Sequence, residues 1–184
     1  MSTESSNQRA RAQDPAWYAR AAAQPEPEHR PAVFQRPLLA EVFAHARECY
    51  PEECCGLMLG PAGAEPRQVV RCTNVQNVRL AKGESKLNSG QGFWIDEQEL
   101  ERALRSAEAR GEELRVVYHS HVDTGAYLSH TDLEAALGPE GTPLWSGVGQ
   151  LVVSVSENGV AEAALFEWDE EREAYVGRLA RELE

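Results

Sequence analysis

The segment from Val116 to Asp132 constrains the chain most, because it holds three of the five histidines beside a turn and a helix start. His119 and His121 are two residues apart, and side chains two apart on a strand point to one face. The apolar, mostly β-branched residues before them favour a strand. Asp132 follows eleven residues after His121, where an apolar-periodic run predicts a helix. The spacing therefore predicts that two imidazoles and one carboxylate converge.

Two nitrogen ligands, one oxygen ligand and an open fourth position are typical of a catalytic zinc site. Each feature taken alone has a plainer interpretation. Ser129 and Asp132 have the S-x-x-D spacing of a helix capping box, and His130 is interpreted as a surface or hydrogen-bonded histidine at that helix start. As a set, His119, His121 and Asp132 are predicted to bind a metal ion.

A second motif offers the proton acceptor that a metal-dependent hydrolase needs. Residues 51–60 read Pro-Glu-Glu-Cys-Cys-Gly-Leu-Met-Leu-Gly, and the apolar part predicts a buried strand. A carboxylate at the entry of that strand can take a proton from an attacking water and return it to a leaving amine. Glu52 and Glu53 are the two candidates.

In chain order, Glu-x-x-Gly at a strand start, His-Ser-His and Ser-x-x-Asp resemble the JAMM (MPN+, also called JAB) zinc metalloprotease family, over about residues 37 to 168. The resemblance implies that Glu53, three residues before Gly56, is the catalytic glutamate and that Ser129 helps to stabilise the oxyanion. It also implies one Zn²⁺ per chain. The zinc ligands that match are His119, His121 and Asp132.

One residue departs from the family pattern. Val122 stands where the family usually has proline, directly after the second histidine, and Asp123 follows it. The change removes no ligand, so activity is expected, but it bears on the shape of the loop and the approach of substrate. Asp123 is interpreted as a turn residue.

The resemblance implies an α/β fold of the MPN (JAB/cytidine-deaminase-like) type, a curved mixed β-sheet flanked by helices. It implies a zinc-dependent isopeptidase or peptidase that hydrolyses the amide bond after the C-terminal Gly-Gly of a ubiquitin-like protein. Small bacterial-type members act on sulfur carriers or tags of this kind. The loop at 138–147 is short and has no clear equivalent of the insertion with which eukaryotic relatives grip polyubiquitin. A single ubiquitin-like partner is therefore favoured.

Two other functions stay open at this point. One is a zinc amidase that acts on small molecules, and the other is a non-catalytic MPN scaffold, although scaffolds typically lack the ligands that this chain keeps. Other enzyme motifs are absent from the sequence. There is no H-E-x-x-H, and no C-x-x-C pair follows the histidines as in zinc deaminases.

Charge and composition exclude several classes of partner. The net charge of −12 argues against binding to nucleic acid or to anionic membrane surfaces. No apolar run approaches the length of a membrane span, and none near the N-terminus could form the core of a secretory signal. We therefore expect a reducing, cytoplasmic compartment, in which all four cysteines are thiols. A homodimer is left open.

The first 36 residues differ in composition from the rest and are predicted to be a flexible Pro/Ala/Gln-rich extension, followed by one metalloprotease domain over residues 37–184. Within the extension, a short helix is predicted from Pro15, capped by Asp14. Its aromatic residues, Trp17 and Tyr18, would dock on the domain or on a second copy of the chain.

The remaining elements follow from periodicity and turn residues. Predicted helices cover Pro37 to Cys49, the residues after the cap Asp96 to about Arg110, and the tail beyond Asp169. Predicted strands are 54–59 and 68–74, a short strand at 93–95, and a hairpin of 150–156 and 160–168 around Asn158-Gly159. A long polar loop is predicted at 76–92, and Trp145 is predicted to fill the core.

Overall fold

The structure is a computed structural model that describes residues 23–183. The helix predicted at Pro15 and the docking of Trp17 and Tyr18 lie outside the described residues. The elements are β1 (Ala32–Phe34), α1 (Arg36–Cys49), β2 (Cys55–Pro61), β3 (Gln68–Cys72), α2 (Gln76–Ala81), α3 (Glu97–Glu108), β4 (Glu112–Val122), α4 (His130–Ala136), β5 (Gly149–Ser156), β6 (Gly159–Asp169) and β7 (Ala174–Glu182).

Seven strands form one sheet in the order β1-β7-β6-β5-β4-β2-β3. The pairs β1–β7 and β4–β5 are parallel, and the other four pairs are antiparallel. The sheet is curled into half a barrel and carries helices. This confirms the predicted α/β fold with a curved mixed sheet.

Two apolar clusters cover opposite faces of the sheet. One lies between α1 and the sheet and includes Leu39 and Val42 of α1 and Tyr118 of β4. The other lies between α3 and the sheet and includes Ala107 of α3 and Val117 of β4. Because successive residues of a strand face opposite sides, β4 contributes to both clusters and is held from both. A third cluster packs α4 against β5 and β6. Strand β4, which carries the two histidines near its C-terminal end, is therefore packed on both faces.

Several local predictions are confirmed. Asp96 caps α3, since its carboxylate accepts hydrogen bonds from the N–H groups of Gln98 and Glu99. Strands β5 and β6 form the predicted hairpin, and Gly159 has the positive φ, 106°, that the turn requires. All four cysteines are free thiols. The adjacent pair, Cys54 and Cys55, lies in different apolar clusters on opposite faces.

The segment between β3 and α3 differs from the prediction. The polar loop contains a helix, α2, and residues 93–95 form no strand beyond a single bridge between Asn74 and Ile95. The Asn74 side chain replaces a strand partner there. Its amide nitrogen donates to the carbonyls of Glu53 and Gly92, and its amide oxygen accepts from the N–H of Trp94. Side-chain hydrogen bonds of this kind are hard to anticipate from periodicity.

The predicted C-terminal helix is wrong, because the tail is strand β7. It pairs with β6 on one side and β1 on the other, and this pairing overrides the helical spacing of its apolar residues. Tyr175 and Gly177 are buried at alternate positions. Trp145 is 36% exposed, so its predicted role in the core is also wrong.

Two structural features precede residue 36, the predicted end of the extension. Strand β1 lies at Ala32–Phe34, and Ala23 forms a bridge with Leu128. The two-part division of the chain stays a prediction. Among the described helices, none is both long and apolar enough to span a membrane.

We predict that Gly56→Ala destabilises the protein. A Cβ at this position would lie 2.5 Å from the ring of Tyr118 and 2.4 Å from the carbonyl oxygen of Val70. Both neighbours are held by the sheet, so we expect a loss of about 1–3 kcal/mol in unfolding free energy, measured by urea denaturation. Gly138→Ala is the control, since its Cβ would make only ordinary contact, 3.6 Å from Thr142. Equal stability of the two variants would contradict this reading of the packing.

Candidate metal centre

Strand β4 brings the two histidines together at its C-terminal end. His119 and His121 point to the same face, and their Nε2 atoms lie 3.2 Å apart. Both side chains are buried, with exposures of 0% and 5%. The convergence predicted from their spacing is therefore present.

Asp132 reaches the same point from the first turn of α4. One carboxylate oxygen lies 3.2 Å from His121 Nε2, and the other lies 3.3 Å from His119 Nε2. A full capping box fixes this turn, because the Asp132 N–H donates to Ser129 Oγ and the Ser129 N–H donates to the Asp132 carboxylate. The Asp132 carboxylate thus completes the capping box and is also the candidate ligand.

The spacing of these three side chains fits a tetrahedral metal ion. Two ligand atoms at zinc–ligand distances of 2.0–2.1 Å are about 3.3 Å apart in tetrahedral geometry. The two imidazole nitrogens are 3.2 Å apart, and His121 and His119 lie 3.2 Å and 3.3 Å from different oxygens of the Asp132 carboxylate. Two imidazoles and one carboxylate are a donor set that zinc prefers. Within the described residues, this is the one His/Cys/Asp/Glu group that meets the geometry of a metal site.

The orientation of the His121 ring also suits a ligand. Its Nδ1 lies 3.1 Å from the carbonyl oxygen of Gly125. A carbonyl only accepts, so Nδ1 carries a proton, and Nε2 is the nitrogen directed at the centre. Tyr127 packs edge-on against the same ring.

His119 is held by an aromatic neighbour instead. Phe93 stacks on its ring at a centroid distance of 4.4 Å. Burial lowers the pKa of His119, which favours the neutral ring that can bind a metal. Burial would raise the pKa of Asp132, but the two histidines outweigh it and hold that pKa below its usual range. The carboxylate is therefore ionised.

Glu53 lies beside this centre through the pairing of β2 with β4. Cys55 is opposite His119 in the ladder. Beside this pair, the Cys54 N–H donates to the Ser120 hydroxyl, and the Ser120 N–H donates to the Cys54 carbonyl. Continuing this register places Glu53 opposite His121. The Glu53 N–H also donates to the carbonyl of Ser89 at 2.7 Å.

The Glu53 carboxyl is buried and partly unpartnered. Its exposure is 6%, and Oε2 has no hydrogen-bond partner among the described residues. Burial raises the pKa of Glu53 to about 8; the charge of His121 opposes this and that of Asp132 adds to it. A carboxylate with a pKa in this region is suited to exchange protons near neutral pH.

The other candidates lie away from the centre or serve the backbone. Glu52 is exposed and accepts a hydrogen bond from Asn77. Asp123 has a positive φ of 55°, which agrees with its interpretation as a turn residue. Its carboxylate accepts a hydrogen bond from the Tyr50 hydroxyl. Ser129 is the N-cap of α4.

Three residues that support the centre were missed from the sequence. Phe93 stacks on His119, Ser120 ties the histidine strand to the strand after Glu53, and Asn74 holds the Glu53 carbonyl. The sequence could have indicated Ser120, because the alternation of a strand directs the residue between the two histidines to the opposite face of the sheet. Phe93 and Asn74 act through tertiary contacts that leave no local pattern.

A comparison with protein families matches residues 35–169 to the family described as prokaryotic homologs of the JAB domain. The chain belongs to the prokaryotic JAB family. The match covers the glutamate, both histidines and the aspartate, and it confirms the resemblance drawn from those motifs.

Similar proteins agree with this membership. Proteins named CysO-cysteine peptidase from Mycobacterium tuberculosis and Mycobacterium bovis are 32% identical over 109 residues, which is 59% of this chain and 67% of theirs. A solution structure from Desulfitobacterium hafniense matches with a TM-score of 0.58 at 18% identity, over 83% of this chain and 93% of that one. One from Salinibacter ruber gives 0.52 at 25% identity, over 78% and 86%. The structures share the fold of this JAB domain.

We predict that the purified protein contains one zinc per chain and that Asp132→Ala contains none. The substitution removes the only anionic ligand, so two neutral imidazoles are left to hold the ion. Elemental analysis measures both. Glu134→Ala, an exposed change on the same helix, is the control and should keep the zinc. A parent without zinc after reconstitution would contradict the ligand assignment.

Proposed function

We propose that this JAB domain is a zinc-dependent peptidase of the JAMM type. It would hydrolyse the amide bond after the C-terminal Gly-Gly of a ubiquitin-like carrier protein. The observation that carries the proposal is the group His119, His121 and Asp132, with ligand atoms at tetrahedral spacing, beside the buried carboxyl of Glu53.

Zinc held by these three side chains would supply a Lewis acid that lowers the pKa of a bound water and polarises the scissile carbonyl. His121 is oriented for this role by the Gly125 carbonyl and Asp132 by its capping box. Their burial excludes bulk water, which strengthens electrostatic interactions at the reacting atoms.

Glu53 is the general base and then the general acid. Its carboxylate takes a proton from the attacking water and later gives it to the nitrogen of the leaving amine. Its closeness to His121 and Asp132, whose charges both act on the Glu53 carboxyl, supports this role. So does the raised pKa, which favours holding the proton between the two steps.

Ser129 would assist through its hydroxyl proton, which the cap leaves unused. Its Oγ accepts from the Asp132 N–H, so the hydroxyl proton remains able to donate. A donor beside the metal ligands can stabilise the negative charge that develops on the carbonyl oxygen.

The substrate class rests on the named relatives. CysO-cysteine peptidase denotes a peptidase that acts on a conjugate of CysO and cysteine. We infer that this chain likewise cleaves a small leaving group from a carrier protein, and that the carrier presents an extended Gly-Gly tail. The cytoplasmic location and the homodimer stay predictions.

We predict that Glu53→Gln keeps zinc and fold but lowers kcat by about 10²- to 10⁴-fold, the usual contribution of general acid–base catalysis. The amide is close in size to the carboxyl but cannot accept the proton. Turnover and zinc content are measured on the same preparation. Glu52→Gln is the matched control and should resemble the parent. If Glu53→Gln stayed active, the base would have to be another residue.

A second prediction separates a carrier-dependent peptidase from a small-molecule amidase. A ubiquitin-like protein ending in Gly-Gly with a cysteine in amide linkage should lose that cysteine, as followed by mass spectrometry. The free tripeptide Gly-Gly-Cys should react with a kcat/KM lower by about a hundredfold or more, because binding energy from the carrier body is missing. Equal kcat/KM for both would favour the amidase, and cleavage of neither by zinc-loaded protein would favour the scaffold.

A further inference from the structure

A row of three polar side chains crosses three adjacent strands beside the metal centre. His121 of β4 lies opposite Ser154 of β5, and Ser154 lies opposite Glu162 of β6. Residues directly opposite one another on neighbouring strands point to the same face of a sheet. We call these three residues the polar row.

The polar row contacts three consecutive residues in the connection between β4 and α4. The serine hydroxyl donates to the carbonyl of Thr124 at 2.6 Å. The histidine Nδ1 lies 3.1 Å from the carbonyl of Gly125. The N–H of Ala126 donates to the glutamate Oε1 at 3.2 Å. The Gly125 carbonyl is therefore held in position by hydrogen bonds to the residues on either side of it, Thr124 and Ala126.

The position of this carbonyl matters because it fixes the ring of a metal ligand. The contact between His121 Nδ1 and this carbonyl directs Nε2 at Asp132 and His119. If the carbonyl shifts, the ring can rotate and carry Nε2 away from the position in which it can bind a metal. Loss of such supporting contacts typically costs 10- to 100-fold in metal affinity.

We propose that Ser154 and Glu162 are positioning residues for the metal centre, which act on His121 through the Gly125 carbonyl. Neither is required as a ligand or as a base. This inference rests on the proposed function, because it concerns the ion that the function needs. A merely structural role would change stability and leave the His121 ring and the zinc affinity as they are.

The first test measures zinc affinity by competition with a chromogenic chelator. We expect the zinc Kd to rise about tenfold in Ser154→Ala, and further in Ser154→Ala/Glu162→Ala. Glu162→Gln keeps an oxygen that accepts from the Ala126 N–H, so it should bind zinc like the parent. Glu162 is exposed, which makes Glu162→Ala alone safe for folding, and it too should weaken binding.

Two control substitutions lie on the same strands and lose comparable contacts. Ser156 accepts a hydrogen bond from the Asn158 N–H, and Glu167 pairs with Arg178. Neither of these two interactions involves the β4–α4 connection. Ser156→Ala and Glu167→Ala should keep the parental zinc affinity. If they weakened it as much as the row substitutions do, the effect would be general and the proposal would be wrong.

The second test needs no zinc, so it separates this inference from the proposed function. Crystal structures of the metal-free parent and double variant compare the orientation of the His121 ring and the position of the Gly125 carbonyl. We expect the contact between His121 Nδ1 and the Gly125 carbonyl in the parent, and a displaced carbonyl with a rotated ring in the double variant. A parental ring position together with parental affinity in the double variant overturns the inference. If the parent bound no zinc, the proposed function would fail, and the ring position would still decide whether the row orients His121.

Discussion

The antiparallel pairing of β2 with β4 is the interaction on which the centre depends. It sets the histidines and Glu53 in one register, because Cys55 lies opposite His119, the Ser120 N–H donates to the Cys54 carbonyl, and the Cys54 N–H donates to the Ser120 hydroxyl. Slipping this register by one residue would turn Glu53 to the other face of the sheet. The apolar clusters on both faces hold the register, so the core of the fold supplies the precision that the site requires.

The centre concentrates polar groups where burial is most costly. The three candidate ligands and the Glu53 carboxyl are nearly inaccessible, and both Glu53 Oε2 and His119 Nδ1 lack partners among the described residues. Buried polar atoms without partners typically cost about 1–3 kcal/mol each. A bound ion would pair with neither of these two atoms, but it would bind Nε2 of both histidines and the Asp132 carboxylate and so stabilise the buried cluster. This links the stability of the region to its occupancy.

Much of this site could be predicted from the sequence, and the reason is geometric. The alternation of a strand puts His119 and His121 on one face, and a capping box puts Asp132 in the first turn of a helix. Both rules act over a few residues. The missed features depend on distant partners: Phe93 stacks on His119 across the fold, and β7 is a strand because β6 and β1 pair with it. The polar row likewise exists only once three strands are in register.

The most direct test of this account is anomalous diffraction at the zinc absorption edge from crystals of the protein grown with zinc. The account predicts a single strong peak about 2.0–2.2 Å from His119 Nε2, His121 Nε2 and a carboxylate oxygen of Asp132, with the Glu53 carboxyl beside it. A peak held by other residues, or no peak between these side chains in zinc-loaded crystals, would contradict it.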